Sequence, residues 1–237
     1  IMSLPIILNT PSYEVDLPLS NRTVKYRPYL VKEEKLLMMA MESQDQKQIL
    51  RAVQEIIEAC TFGEVKAKIL PTAELELLFL KLRSKSVGET TQVGYECKNC
   101  GTKNELSINL ETVQLTKAKK TDSKIMLTDK VGVIMKFPTA DDVTRAISSD
   151  EGEVKNTFAI ITSCIETIFD DNGVYEAANL ERKEVESFVD SLNSQQFKKI
   201  QEFFEGLPKL SHDASFDCGN CGTHNKLVIE GLQAFFV

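Results

Sequence analysis

Tyr95-Glu96-Cys97-Lys98-Asn99-Cys100-Gly101-Thr102-Lys103-Asn104-Glu105-Leu106 is written a second time, with few changes, as Phe216-Asp217-Cys218-Gly219-Asn220-Cys221-Gly222-Thr223-His224-Asn225-Lys226-Leu227. Both Cys, the Asn between them, and the following Gly, Thr, Asn and Leu recur at the same offsets. A two-residue gap lets a tight turn aim both sulfurs of a pair at one ion, and zinc prefers four thiolates in a tetrahedron. Each copy therefore supplies half a site. The Gly after the second Cys permits the positive φ that turns backbone amides toward the sulfurs, and strand-like residues flank both turns. Two such knuckles make a zinc ribbon whose predicted ligands are Cys97, Cys100, Cys218 and Cys221. Four thiolates leave no open position for water, so the expected Zn²⁺ is structural rather than catalytic.

The spacing is unusual. Cys100 and Cys218 stand 118 positions apart, whereas a compact ribbon separates its pairs by about 15 to 20 residues. Most of the second half of the chain is inserted between the two half-sites. Two disulfides are the competing reading, which fits poorly with an intracellular chain carrying two further Cys. A redox pair would open a helix in a βαβ context, not sit between strand-like segments. His224 follows Cys221 at a distance that permits a substitute ligand, but Lys103 holds the same place in the first copy, which favours a solvated turn residue. Cys60 ends an apolar helical stretch and Cys164 lies within another, so both read as buried small hydrophobes.

Outward from the repeat, the chain alternates at Tyr13-Glu14-Val15-Asp16-Leu17 and again at Thr23-Val24-Lys25-Tyr26, with Ser20-Asn21 as the turn of a hairpin. Helical spacing covers 32–41, with Leu36, Leu37, Met39 and Ala40 on one face, then 45–60 through Ile49, Val53, Ile56 and Ile57, then 72–85 through Leu75, Leu78, Phe79 and Leu82. Residues 111–123 are polar and suited to a loop. A second hairpin joins 125–127 to 131–137 near Asp129-Lys130, and helices are expected at 139–148, 153–169, 179–191 and 194–206. Asp170-Asp171-Asn172-Gly173 lacks the ligand register of a calcium loop and reads as a turn. Met38, Met39 and Met41 read as core, with an adaptable binding surface as the alternative. Phe203, Phe204, Phe235 and Phe236 stand out. The apolar C-terminus must pack internally or dock on another subunit.

These assignments describe an α+β chain, mainly helical, with short antiparallel hairpins and a split ribbon. Its expected parts are an N-terminal hairpin with helices at 1–90, the ribbon at 91–110 and 209–232, and an insertion at 111–208. The 237 residues are 42% hydrophobic and 27% charged, a globular balance with material for a real core. No apolar run approaches the roughly 20 residues of a membrane span and the N-terminus lacks a secretory layout, so a cytosolic chain with no membrane partner is expected. A net charge of −7 disfavours a phosphate-backbone binder. The zinc-ribbon nucleic-acid regulator that forms the alternative would draw on Lys98, Lys103, Lys117, Lys119 and Lys120. Two His, no Trp, and no phosphate loop, HExxH or GxSxG leave no nucleophile and base to name, so no enzyme is expected.

Three further stretches carry a family likeness: Tyr26-Arg27-Pro28-Tyr29-Leu30-Val31-Lys32-Glu33-Glu34-Lys35, Cys60-Thr61-Phe62-Gly63, and Phe79-Leu80-Lys81-Leu82-Arg83-Ser84-Lys85-Ser86-Val87-Gly88-Glu89. With Cys97, Cys100 and Val131-Gly132-Val133-Ile134-Met135-Lys136-Phe137-Pro138, the chain resembles the baseplate hub and hub-assembly proteins of T-even-like contractile-tailed phages. The resemblance implies a late protein without known enzymatic activity, whose partners are other hub proteins. Its expected location is the host cytoplasm during assembly, and then the tail baseplate of the virion if it stays as a subunit.

Overall fold

The computed structural model describes residues 10–117, 122–147 and 152–235. Seven α-helices and eleven strands are present among them, and the strands pair antiparallel in four small sheets. The chain is α+β, and its helices share it with too many strands for "mainly helical" to describe it. None of the helices is long and apolar enough to cross a membrane. The chain divides into two compact units, one formed by 1–116 with 209–237 and the other by 117–208.

The first unit opens with β1 (Tyr13–Leu17) and β2 (Arg22–Tyr26), paired so that Val15 faces Val24 and Tyr13 faces Tyr26. Alternation buries Val15, Leu17, Val24 and Tyr26 on one face. The turn is held by the fully buried Glu74, whose carboxylate accepts from the backbone N–H of Ser20 at 2.9 Å and also from the Ser20 hydroxyl. Glu74 belongs to α3 (Thr72–Val87), which follows α1 (Val31–Glu42) and α2 (Gln46–Cys60). The Asp45 carboxylate caps α2 by accepting from the N–H groups of Lys47 and Gln48.

Met38, Met39 and Met41 are 65%, 59% and 54% exposed, which overturns their reading as core. Residues 36–41 are apolar without a break and so run right round a 3.6-residue helix. Only one stripe can turn inward, and within that run it buries Ala40.

After α3 come β3 (Thr90–Glu96) and β4 (Lys103–Asn109), then the short β5 (Gln114–Leu115). The chain returns to this unit as β10 (Leu210–Asp217) and β11 (His224–Glu230), with strand order β11-β10-β5. The return is local, since Thr116 N–H donates to the Lys209 carbonyl at 2.8 Å and Lys209 N–H to the Thr116 hydroxyl at 2.9 Å. Leu77 and Leu80 of α3 pack with Val93, Ile108, Leu110, Val113, Leu210, Ile229 and Phe235 in one core. Phe235 is fully buried, so this part of the apolar terminus packs internally. Phe236 lies outside the described residues.

In the second unit, β6 (Lys124–Met126), β7 (Gly132–Met135), β8 (Ile165–Phe169) and β9 (Val174–Glu176) form one antiparallel sheet in that order. The expected hairpin is present, with Ile125 facing Val133. The helices are α4 (Ala140–Ile147), α5 (Glu153–Ser163), α6 (Arg182–Asp190) and α7 (Ser194–Glu205). The helix expected over 153–169 is therefore too long. It stops at Ser163, Cys164 is its C-cap, and Ile165-Glu166-Thr167-Ile168-Phe169 is a strand. Three β-branched residues in those five favour the pleat. The helix expected from 179 begins at Arg182, after a 3-10 turn at Ala177–Asn179. Asp170-Asp171-Asn172-Gly173 is the turn between β8 and β9, closed by the Asp170 carboxylate accepting from the N–H groups of Asn172 and Gly173, both at 2.9 Å. Val133, Met135, Ile161, Cys164, Ile168, Val185, Ile200 and Phe203 are among the residues of this unit's core.

Candidate metal centre

The two β-hairpins of the first unit each carry one copy of the repeat at the tip. The ladder of β3 and β4 closes at Glu96 opposite Lys103, and that of β10 and β11 at Asp217 opposite His224. Beyond those pairs the two tips make the same bonds. Cys97 N–H donates to the Thr102 carbonyl at 2.9 Å, and Cys218 N–H to the Thr223 carbonyl at 3.0 Å. Gly101 N–H and Gly222 N–H reach back to the carbonyls of Cys97 and Cys218, both at 2.9 Å. The two glycines have φ of +70° and +68°, the left-handed conformation expected there.

These turns bring four sulfurs together, all within 4.8 Å of one another. Cys97 Sγ lies 3.7 Å from Cys221 Sγ, and Cys100 Sγ lies 3.6 Å from Cys218 Sγ. A tetrahedral ion with metal–sulfur bonds of about 2.3 Å requires sulfur–sulfur edges of about 3.8 Å. The donor set fits a thiophilic, four-coordinate cation. Cys97 and Cys218 are buried, while Cys100 and Cys221 face solvent. His224 does not join them, because its Nδ1 pairs with Asp217 Oδ1 at 2.7 Å on the exposed surface.

Sulfurs this close cannot all ionise without a cation between them. The Thr223 hydroxyl and N–H, with the Asn99 amide, bring the Cys221 thiol down to about 5. The N–H of Cys100, aided by that of Asn99, lowers Cys97. Cys218 moves the other way: the N–H groups of Cys221 and Asn220 pull it down, but burial and the neighbouring sulfurs of Cys100 and Cys221 leave it raised. Cys60 and Cys164 are different in kind. Burial pushes their thiols up to about 11 and about 12, so both stay protonated and inert in their cores.

The recurring asparagines have partners that spacing alone did not reveal. Asn99 Nδ2 donates to Cys221 Sγ at 3.6 Å, Asn220 Nδ2 to Cys100 Sγ at 3.8 Å, Asn104 Nδ2 to Cys218 Sγ at 3.8 Å and Asn225 Nδ2 to Cys97 Sγ at 3.5 Å. The available signal was their recurrence at equal offsets in both copies.

A family model described as "T4 bacteriophage base plate protein" matches residues 10–237. The baseplate hub assembly protein gp26 of Enterobacteria phage T4 is 27% identical over 225 residues, which is 94% of this chain and 97% of that protein. No solved structure matches. With the match running from the first hairpin through both knuckles, the chain belongs to the T4 bacteriophage base plate protein family.

Proposed function

We propose that this chain acts in assembly of the baseplate hub of a contractile tail, by binding other hub proteins and without an enzymatic step of its own. The likeness to a hub assembly protein over nearly the full length of both chains carries this reading. It is supported by the methionines of α1 left in solvent, where flexible thioethers suit adaptable contacts. The nucleic-acid reading is weaker. Lys98 turns its ammonium to the Lys226 carbonyl at 3.2 Å, and the overall charge of −7 opposes a phosphate backbone.

In this proposal the ribbon at 91–110 and 209–232 holds one structural Zn²⁺ on Cys97, Cys100, Cys218 and Cys221, the 1–90 segment packs beside it, and 111–208 is an insertion. Affinity capture of the tagged chain from infected host cells, read by mass spectrometry, should recover hub proteins from the host cytoplasm. A chain that stays free of them throughout tail assembly overturns the reading. Its presence in mature tails marks a subunit of the virion baseplate, and hub binding with absence from mature tails marks a transient assembly factor. Elemental analysis should find about one Zn²⁺ per chain, and chelation should lower the melting temperature because binding is coupled to folding. Metal-free protein with unchanged melting refutes the zinc assignment.

A further inference from the structure

We infer that Asn99, Asn104, Asn220 and Asn225 are positioning residues for the metal, each reaching from one knuckle to a sulfur of the other. The inference rests on the metal reading above. Every one of the four amide contacts crosses between the half-sites, and they are related in pairs: Asn99 to Cys221 mirrors Asn220 to Cys100, and Asn104 to Cys218 mirrors Asn225 to Cys97. One knuckle alone cannot make any of them.

The inner pair is clamped. Asn225 is buried, its Oδ1 accepts from Lys98 N–H at 3.1 Å, and its Nδ2 also donates to the Thr223 carbonyl at 2.8 Å. Asn104 does the same in mirror image, with Gly219 N–H at 3.0 Å and the Thr102 carbonyl at 2.7 Å. These bonds fix each amide so that its N–H points at the opposite sulfur. The outer pair is solvent-exposed and also donates across the site to threonine hydroxyls, Asn99 to Thr223 Oγ1 and Asn220 to Thr102 Oγ1, each at 3.2 Å.

Four thiolates around a dication leave a net charge of −2, and an amide donor on each sulfur disperses that charge. Because each donor comes from the opposite knuckle, the crossing side chains also tie the two pairs to each other across the site.

The test is a Co²⁺ and Zn²⁺ titration of the full chain against a competing chelator, comparing wild type with the double variant Asn99→Ala/Asn220→Ala. Both positions are exposed, so the fold should survive. The double variant should bind both metals about 10- to 100-fold more weakly, the range typical for outer partners of metal ligands. The sulfur-to-Co²⁺ charge-transfer band should move to longer wavelength, as expected for sulfurs that have lost donors. A purely structural role would not shift that band. Asn225→Asp keeps the acceptor for Lys98 N–H but sets a carboxylate beside Cys97, and should weaken binding further. Unchanged affinity and an unmoved band in Asn99→Ala/Asn220→Ala, with wild type binding normally, overturn the role of the amides and leave the metal reading intact. Wild type that binds neither ion overturns the metal reading, and this inference with it.

Discussion

Glu33 shows how a single charged residue is held inside the first unit. Its side chain is 5% exposed and pairs with Arg27 at 2.9 Å, while also accepting from Leu30 N–H at 2.8 Å. Burial alone would raise its pKa, yet the Arg27 guanidinium and the Leu30 amide outweigh burial and hold it below the ordinary Glu value. A lowered folded pKa means that the stabilisation is complete above the unfolded value of about 4.3 and is lost as pH falls through the folded value. Glu33→Gln should cost about 3–5 kcal/mol at pH 7, the range for breaking a buried pair, and should flatten the acid limb of stability measured by urea titration. Two glycines make a contrast at the same scale. A Cβ on Gly101 meets nothing within 4 Å, so Gly101→Ala should cost only the backbone penalty of about 1–2 kcal/mol. A Cβ on Gly132 would run into the Phe169 ring at Cζ and lie 2.8 Å from the Ile125 carbonyl oxygen, so Gly132→Ala should destabilise more and disturb the β7–β8 pairing, visible as altered amide shifts along both strands.

At the scale of elements, legibility depended on whether one periodicity ruled a segment. The first hairpin reads directly because Val15, Leu17, Val24 and Tyr26 alternate with polar residues and all turn inward. The paired Cys turns read because both Cys and the Asn, Gly and Thr around them recur at equal offsets. β8 did not, since Ile165, Ile168 and Phe169 extend the apolar run of α5 without a Gly or Pro to break it, and short apolar runs fit either period. β5 is two residues long and exists by pairing with β10, a partner far along the chain. The C-terminal 3-10 turn (Leu232–Phe235) is a similar case: its place is set by the core it enters. Phe235 is fully buried there and its carbonyl accepts from the Thr91 hydroxyl at 3.3 Å. Phe235→Ala should cost about 3–5 kcal/mol in chemical denaturation, the range for emptying an aromatic core position. A change of under 1 kcal/mol would show that this turn does not seal the core.

For the molecule as a whole, the insertion leaves and returns at adjacent points. Thr116 and Lys209 exchange two hydrogen bonds, and 117–208 has a core of its own. Replacing 117–208 by a short Gly-Ser linker should therefore leave the first unit folded, with its knuckles paired and its metal affinity close to that of the full chain, as judged by circular dichroism and Co²⁺ titration. An unfolded product would show that the insertion is needed to bring the half-sites together. The same separation has a consequence in time. Chains are made at about 5–20 residues per second, so the 118 positions from Cys100 to Cys218 take roughly 6 to 24 s to synthesise. Throughout that interval the earlier thiol pair has no mate, and the four sulfurs can meet only once the second pair has been made.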